Sequence, residues 1–163
     1  MAKNKEEKTN VMRVLEQKKI AYTAHTYPHE EGVAVDGVTV AKSMGFDPAI
    51  VFKTLVARGA SKQYYVFDVP VAENLDLKKA AKAVGEKSIE MIHQKELLPL
   101  TGYVHGGCSP VGMKKLFPTV FHETAENLAA MIVSAGKIGY QVELAPHDLA
   151  ALVRAKFADI IVE

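Results

Sequence analysis

IVFKTLVARGASKQYYVFDVP, residues 50–70, reads as two apolar strands joined by a short polar turn. Its first half is a nearly continuous apolar run broken only by Lys53 and Thr54, the pattern of a buried strand. QYYVFDVP follows across RGASK as its hairpin neighbour. Towards the N-terminus, VDGVTVAKSMGFDP reads as a short helix stopped at Gly45, with Pro48 just beyond. Ahead of it, IAYTAHTYPHE reads as a strand ending near Pro28. Residues 8–19 form a helix, with Val11, Val14, Leu15 and then Ile20 on one face and Arg13, Glu16, Gln17 and Lys18 outside. Towards the C-terminus, Asp76 caps a helix running through LKKAAKAV to Gly85. SIEMI and GYVHGG read as short strands around a helix at HQKELLP. TVFHE, AAMIVSAG and YQVELAP are further strands, Pro146 opens a helix at HDLAALVRA, and FADIIVE closes as a strand. Strands crowd the middle without regular alternation with helices, which gives a mixed-sheet α+β fold rather than a doubly wound one.

The chain has 163 residues, 48% of them apolar and 24% charged, with no repeat and no low-complexity linker. One domain spanning 1–163 with its own core is expected, needing neither metal nor disulfide. The formal net charge of +1 does not announce a nucleic-acid binder, though a local basic groove stays open. The first ten residues, MAKNKEEKTN, lack an apolar signal region, and no window approaches ~18 consecutive apolar residues. A soluble cytoplasmic protein without membrane contact is expected. His25 and His29 have helical i,i+4 spacing, but Pro28 stands between them in a strand pattern, and no HExxH or CxxC occurs. No metal and no cofactor is expected.

The chemistry concentrates in VHGGCSPVGMKK, residues 104–115. A phosphate-binding P-loop fails on register, since counting from Gly107 puts Gly112 in place but Met113 where lysine is required. Pro110 also removes a backbone donor. Cys108 could be a nucleophile only with a base beside it, and a small buried filler is the plainer reading. The third reading is backbone chemistry. Gly106 and Gly107 let a ligand approach the main chain and can present N–H groups to a developing oxyanion, while a plain strand-to-turn connection stays equally open.

Lys53 interrupts an otherwise apolar strand. It either faces solvent or projects a fixed cation into a cleft, beside a carboxylate, phosphate or ester. Thr54 points to the other face of a regular strand. Ser134, Gly136, Lys137 and Gly139 form a second glycine-rich turn, which is a pocket mouth or an ordinary hairpin loop. Lys78, Lys79 and Lys82 share one helical ridge, a solvated face or a phosphate contact; Lys114 and Lys115 add a second basic pair.

Together VFKTLV, NLDLKKAAKAVG, TGYVHGGCSPVGMKK and VSAGKIGYQVELAPHDL resemble, in order and spacing, the YbaK family of bacterial Cys-tRNA(Pro) deacylases. These are relatives of the editing domain inserted in prolyl-tRNA synthetases. The resemblance runs from the first helix to the C-terminus. It implies a barrel-like mixed sheet flanked by helices, and hydrolysis of the ester between a wrong amino acid and its tRNA, in trans and with prolyl-tRNA synthetase as a partner. It places the essential lysine on Lys53, the pocket tyrosine on Tyr27, the GGxSPxG loop on Gly106, Gly107, Ser109, Pro110 and Gly112, and the pocket serine on Ser134. Cys108 falls on the variable position of that loop. The chemistry implied is attack by the bound cysteine's own thiol on its ester carbonyl, a reaction driven by positioning.

The expected site is therefore Lys53, Gly106 and Gly107 as catalytic groups, with Tyr27, Thr54, Ser109, Ser134 and Gly136 around the substrate. Lys78, Lys79, Lys82, Lys114 and Lys137 are expected towards the tRNA. The second glycine loop departs from the family's Gly-Lys-Arg-Gly at Ile138, which implies one cation fewer near the RNA side. Two other readings remain. A deacylase for Ala-tRNA(Pro) or another mischarged tRNA would share the lysine and glycine loop, whereas a non-catalytic module would bind aminoacyl-tRNA or a synthetase without turnover.

Overall fold

The computed structural model describes residues 8–163. Residue chemistry marks the start of its helices and, at three of them, a glycine stop. Helix α1 (Asn10–Gln17) is capped by Thr9, whose hydroxyl accepts from the Met12 N–H at 3.3 Å, and it buries Val11, Met12 and Leu15. Asp36 caps α2 (Gly37–Met44), which ends on Gly45 in the left-handed region at φ 80°. Asp76 likewise accepts from the N–H groups of Lys78 and Lys79 to start α3 (Leu77–Val84), and Gly85 ends it. In α4 (Gln94–Thr101), Glu96 reaches back 2.8 Å to the His93 N–H. Pro146 stands first in α5 (Pro146–Val153), where its missing N–H has no partner to lose.

The strands are β1 (Thr23–Thr26), β2 (Phe52–Gly59), β3 (Tyr64–Pro70), β4 (Ile89–Met91), β5 (Thr119–His122), β6 (Met131–Ser134), β7 (Tyr140–Leu144) and β8 (Ala155–Ala158). They form a five-stranded sheet in the order β4-β2-β3-β5-β8 and a three-stranded sheet in the order β1-β7-β6. Strands β2 and β3 make the expected antiparallel hairpin, with Lys53 opposite Val69 and Thr54 opposite Asp68. Strands β3, β5 and β8 pair in parallel, whereas every pair in the small sheet is antiparallel. The α+β class with mixed pairing is thus as expected. A single bridge between Val51 and Ile132 ties the start of β2 to β6 and brings the two sheets together along one edge.

Two apolar clusters fill the space around this seam. One joins α1, the small sheet and α5 through Leu15, Phe52, Phe121, Met131, Val142 and Leu149. The other packs α3 against the large sheet through Phe67, Val69, Ala80, Ala81 and Ile160. A smaller group, Ala41, Val51, Val71 and Ile132, holds α2 over the seam itself. Burial of these side chains supplies the driving force, at roughly 25 cal/mol per Å² of apolar surface.

Two expected strands differ. GYVHGG is a loop: Gly102 and Gly106 both sit at φ 90°, and the Gly107 N–H turns back to the Val104 carbonyl at 3.0 Å. Extended pairing cannot continue through such left-handed positions. The closing strand lies earlier than FADIIVE. It ends at Ala158, because Lys79 holds the Asp159 carboxylate outside the sheet at 2.9 Å while Ile160 drops fully into the core.

Candidate active site

A cleft of about 440 Å³ opens where α2 and the seam between the sheets meet the loop after α4, and Tyr27, Asp36, Lys53, Thr54, Gly106 and Ser134 lie on its wall. Strand β2 contributes Lys53 and Thr54 as consecutive residues, and both reach the cleft. The chain therefore brings together residues from the segment just after β1, α2, the central hairpin and both glycine loops.

Lys53 is half-buried and makes no hydrogen bond, and no ion pair within 4 Å, among the described residues. Burial pulls its ammonium pKa below the ordinary lysine value, and the charges of Asp36 and Glu73 oppose that shift. Asp36 stays ionised because Thr39 donates to it twice, from its hydroxyl at 2.6 Å and its N–H at 3.0 Å. The helix cap thus also places a carboxylate in the cleft that the lysine faces.

Behind Thr54 lies Asp68, completely buried in β3. The Thr54 hydroxyl donates to its Oδ1 at 2.5 Å, and its Oδ2 meets no partner among the described residues. Burial pushes this carboxyl up to about 7. The Cys108 thiol is also buried, and burial plus the nearby Asp68 push it up to about 12. Cys108 is therefore held as a thiol, which fits its reading as a filler rather than a nucleophile.

The glycine loop is built around Tyr103. Its hydroxyl donates to the Val111 carbonyl, and the buried Ser109 hydroxyl accepts from the Val111 N–H at 3.2 Å. A Cβ at Gly112 would come within 2.9 Å of the Tyr103 hydroxyl, and one at Gly136 within 2.9 Å of its ring. One tyrosine thus clamps both glycine loops. Gly106 lines the cleft at φ 90°, and a Cβ there would lie 2.7 Å from that of Ala34. The Gly107 N–H is committed to Val104, whereas those of Gly106 and Cys108 donate to no carbonyl among the described residues. Ile138 is buried, and its backbone N–H lies 3.1 Å from where a Gly107 Cβ would stand. It packs against the glycine pair.

Of the expected residues, Tyr27, Lys53, Thr54, Gly106 and Ser134 meet around the cleft, whereas Gly107, Ser109 and Gly136 stand behind its wall as turn-forming residues. The Ser134 hydroxyl accepts from the Gly136 N–H at 3.1 Å, so Gly136 fixes the serine. The lysines expected towards the tRNA do not line the cleft. Lys79 is tied to Asp159, Glu163 and the Ile161 carbonyl, the exposed Lys114 bonds the Pro99 carbonyl at 3.3 Å, and Lys137 lies over the Tyr140 ring. Lys78 and Lys82 are exposed on α3. His25 and His122 are engaged with Glu143 and the Ile160 N–H respectively, in line with their reading as hydrogen-bonded residues. No group of three or more metal-ligating side chains assembles among the described residues, and no helix there is long and apolar enough to cross a membrane.

Three site residues escaped the sequence reading. Asp36 carries the D-x-x-T cap pattern, a helix start of the kind already used for Asp76. Asp68 and Gln141 are polar residues in apolar strands, the same signal that singled out Lys53.

Known proteins are similar to this chain in both sequence and fold. The family model described as "Aminoacyl-tRNA editing domain" matches residues 32–152. A protein of Enterococcus faecalis named "Putative Cys-tRNA(Pro)/Cys-tRNA(Cys) deacylase EbsC" is 47% identical over 161 residues, covering 98% of each chain. A solved structure described as "a putative trans-editing enzyme for prolyl tRNA synthetase" superposes with a TM-score of 0.79 at 25% identity, over 94% of this chain and 95% of the other. A second, "hypothetical protein APE2540", gives a TM-score of 0.82 at 18% identity over 93% of this chain and 99% of the other, which speaks to the fold alone.

Proposed function

We propose a function from one premise: the chain belongs to the aminoacyl-tRNA editing domain family. It is an enzyme, an aminoacyl-tRNA deacylase that clears cysteine wrongly esterified to tRNA(Pro), with all 163 residues acting as one editing domain in the cytoplasm. The observation that carries this reading is the Lys53 ammonium, desolvated, without a close ion pair among the described residues and set in a cleft beside a glycine turn. The name of the Enterococcus faecalis relative supports cysteine as the amino acid.

The site suits a reaction in which the substrate supplies its own nucleophile. Cys108 is held as a thiol and no other cysteine exists in the chain. The thiol of the bound cysteinyl group attacks its ester carbonyl. A C–S bond forms, the C–O bond to the ribose breaks, and the thiol proton passes to the departing ribose oxygen. Holding sulfur and carbonyl in contact supplies much of the rate. Lys53 favours the thiolate and offsets negative charge as it develops on the carbonyl oxygen. The uncommitted N–H groups of Gly106 and Cys108 are the backbone donors for that oxygen. Tyr27 and Ser134, both buried, bound the space left for the side chain.

Lysines outside the cleft serve the tRNA: Lys78 and Lys82 on α3, and Lys114 and Lys137 on the loop side, whereas Lys79 is spent on Asp159 and Glu163. With a net charge of +1 the protein binds tRNA weakly alone, so prolyl-tRNA synthetase acts as the partner that presents the charged tRNA. Equal tRNA affinity with and without the synthetase contradicts this partnership. The activity is tested by loss of the cysteinyl ester from Cys-tRNA(Pro), with trapping of a cysteine thiolactone or its hydrolysis product. Loss of the ester from Ala-tRNA(Pro) at the same rate contradicts thiol assistance.

A further inference from the structure

Gln141 stands on β7 directly opposite Ser134 of β6, lines the cleft and is only 6% exposed. Its Oε1 has no hydrogen-bond partner among the described residues. A buried amide oxygen without a donor is destabilising by about 1–3 kcal/mol, so a residue retained in that state at a cleft wall points to a donor that arrives with the ligand.

A second acceptor shares the cleft. The Thr54 hydroxyl proton is committed to Asp68, so Thr54 offers the cleft only its lone pairs. Asp36 is the charged acceptor nearby, but Thr39 already donates to it twice and Lys53 faces it. The Ser134 hydroxyl, whose oxygen accepts from Gly136, keeps its proton to donate.

The aminoacyl group carries one strong donor, the α-amino nitrogen, and the free ribose hydroxyl belongs to the tRNA side of the ester. The cysteinyl thiol is a weak donor. We infer that Gln141 and Thr54 form an acceptor subsite that binds the α-amino group of the aminoacyl ester and so sets the orientation of thiol and carbonyl. The inference rests on the deacylase reading and deepens it: the enzyme recognises a free amino acid ester and discriminates against acyl groups lacking the amine.

The test compares Cys-tRNA(Pro) with tRNA(Pro) chemically acylated with 3-mercaptopropionate, which keeps the thiol and lacks only the amine. Wild type is expected to lose roughly 10–100-fold in kcat/KM on the des-amino ester. Gln141→Leu is expected to lose a similar factor on Cys-tRNA(Pro) and to lose little more on the des-amino ester. Gln141→Glu, which keeps the acceptor, retains the discrimination and keeps the inference falsifiable should the leucine variant fold poorly. Equal wild-type rates on the two esters, or an equal loss on both in Gln141→Leu, overturns the subsite. A wild type inert towards Cys-tRNA(Pro) overturns the deacylase reading, and the subsite with it.

Discussion

Lys53 and Lys79 are the same residue type in opposite physical states. Lys79 lies on the α3 ridge, within 2.9 Å of Asp159 and 3.3 Å of Glu163, and those partners push its pKa up. Lys53 lies on the cleft wall, where burial pulls its pKa down and its counter-charges, Asp36 and Glu73, stay beyond ion-pair distance. A lysine whose donors are already taken fastens the chain's end to the helix. One that is desolvated and left without a close partner keeps its donors and its field for a ligand.

The largest expected effect on the cleft side comes from Gly106→Ala. Its φ of 90° strains any side chain, and the added methyl would meet Ala34 at 2.7 Å. Turnover should fall by a hundredfold or more as the backbone donors shift, with a stability loss of about 1–3 kcal/mol. Steady-state kinetics beside thermal melting checks both, and normal turnover would separate the glycine turn from the chemistry.

Asp68 gives the next effect. In the unfolded chain it ionises near 3.8, but folded only near 7. Between these values the folded protein holds a proton that the unfolded chain has released, so stability from this group is full below pH 4 and falls as pH rises through 7. Asp68→Asn should flatten that slope and raise stability at pH 8 by up to a few kcal/mol. Denaturant melts at pH 5 and 8 read it, and an unchanged slope would mean that Asp68 ionises normally.

Smaller effects belong to the ridge. Lys79→Ala should leave kcat unchanged and lower the melting temperature slightly, with less difference at high salt. A large drop in kcat would erase the contrast with Lys53. Replacing exposed Lys78 or Lys82 should weaken tRNA binding and reduce the slope of log K against log salt by about one for each phosphate no longer neutralised. Slopes identical to wild type would make the ridge a solvated face only.

Much of this was legible in the sequence, where local rules and tertiary need agree. The β2–β3 hairpin, the Asp76 cap and the Gly45 and Gly85 stops follow from residue chemistry at fixed positions. Lys53 was visible as a charge in an apolar strand. Asp68 and Gln141 carried the same signal, but which face each strand turns to the cleft depends on how the two sheets meet at Val51 and Ile132. GYVHGG misled because its composition suits a strand, while Gly102 and Gly106 supply left-handed turns and Tyr103 is spent clamping the loop. Ile138 stands out in the linear pattern only as a missing cation, whereas the fold shows it as a buried support beside the glycine pair.

The most direct test of the central claim is deacylation of Cys-tRNA(Pro) and Ala-tRNA(Pro) by wild type and by Lys53→Ala. Rapid loss of the cysteinyl ester alone, reduced about a hundredfold or more in a Lys53→Ala protein that melts like wild type, is the expected result. Near-normal deacylation by Lys53→Ala would contradict the assignment of the cleft lysine to catalysis.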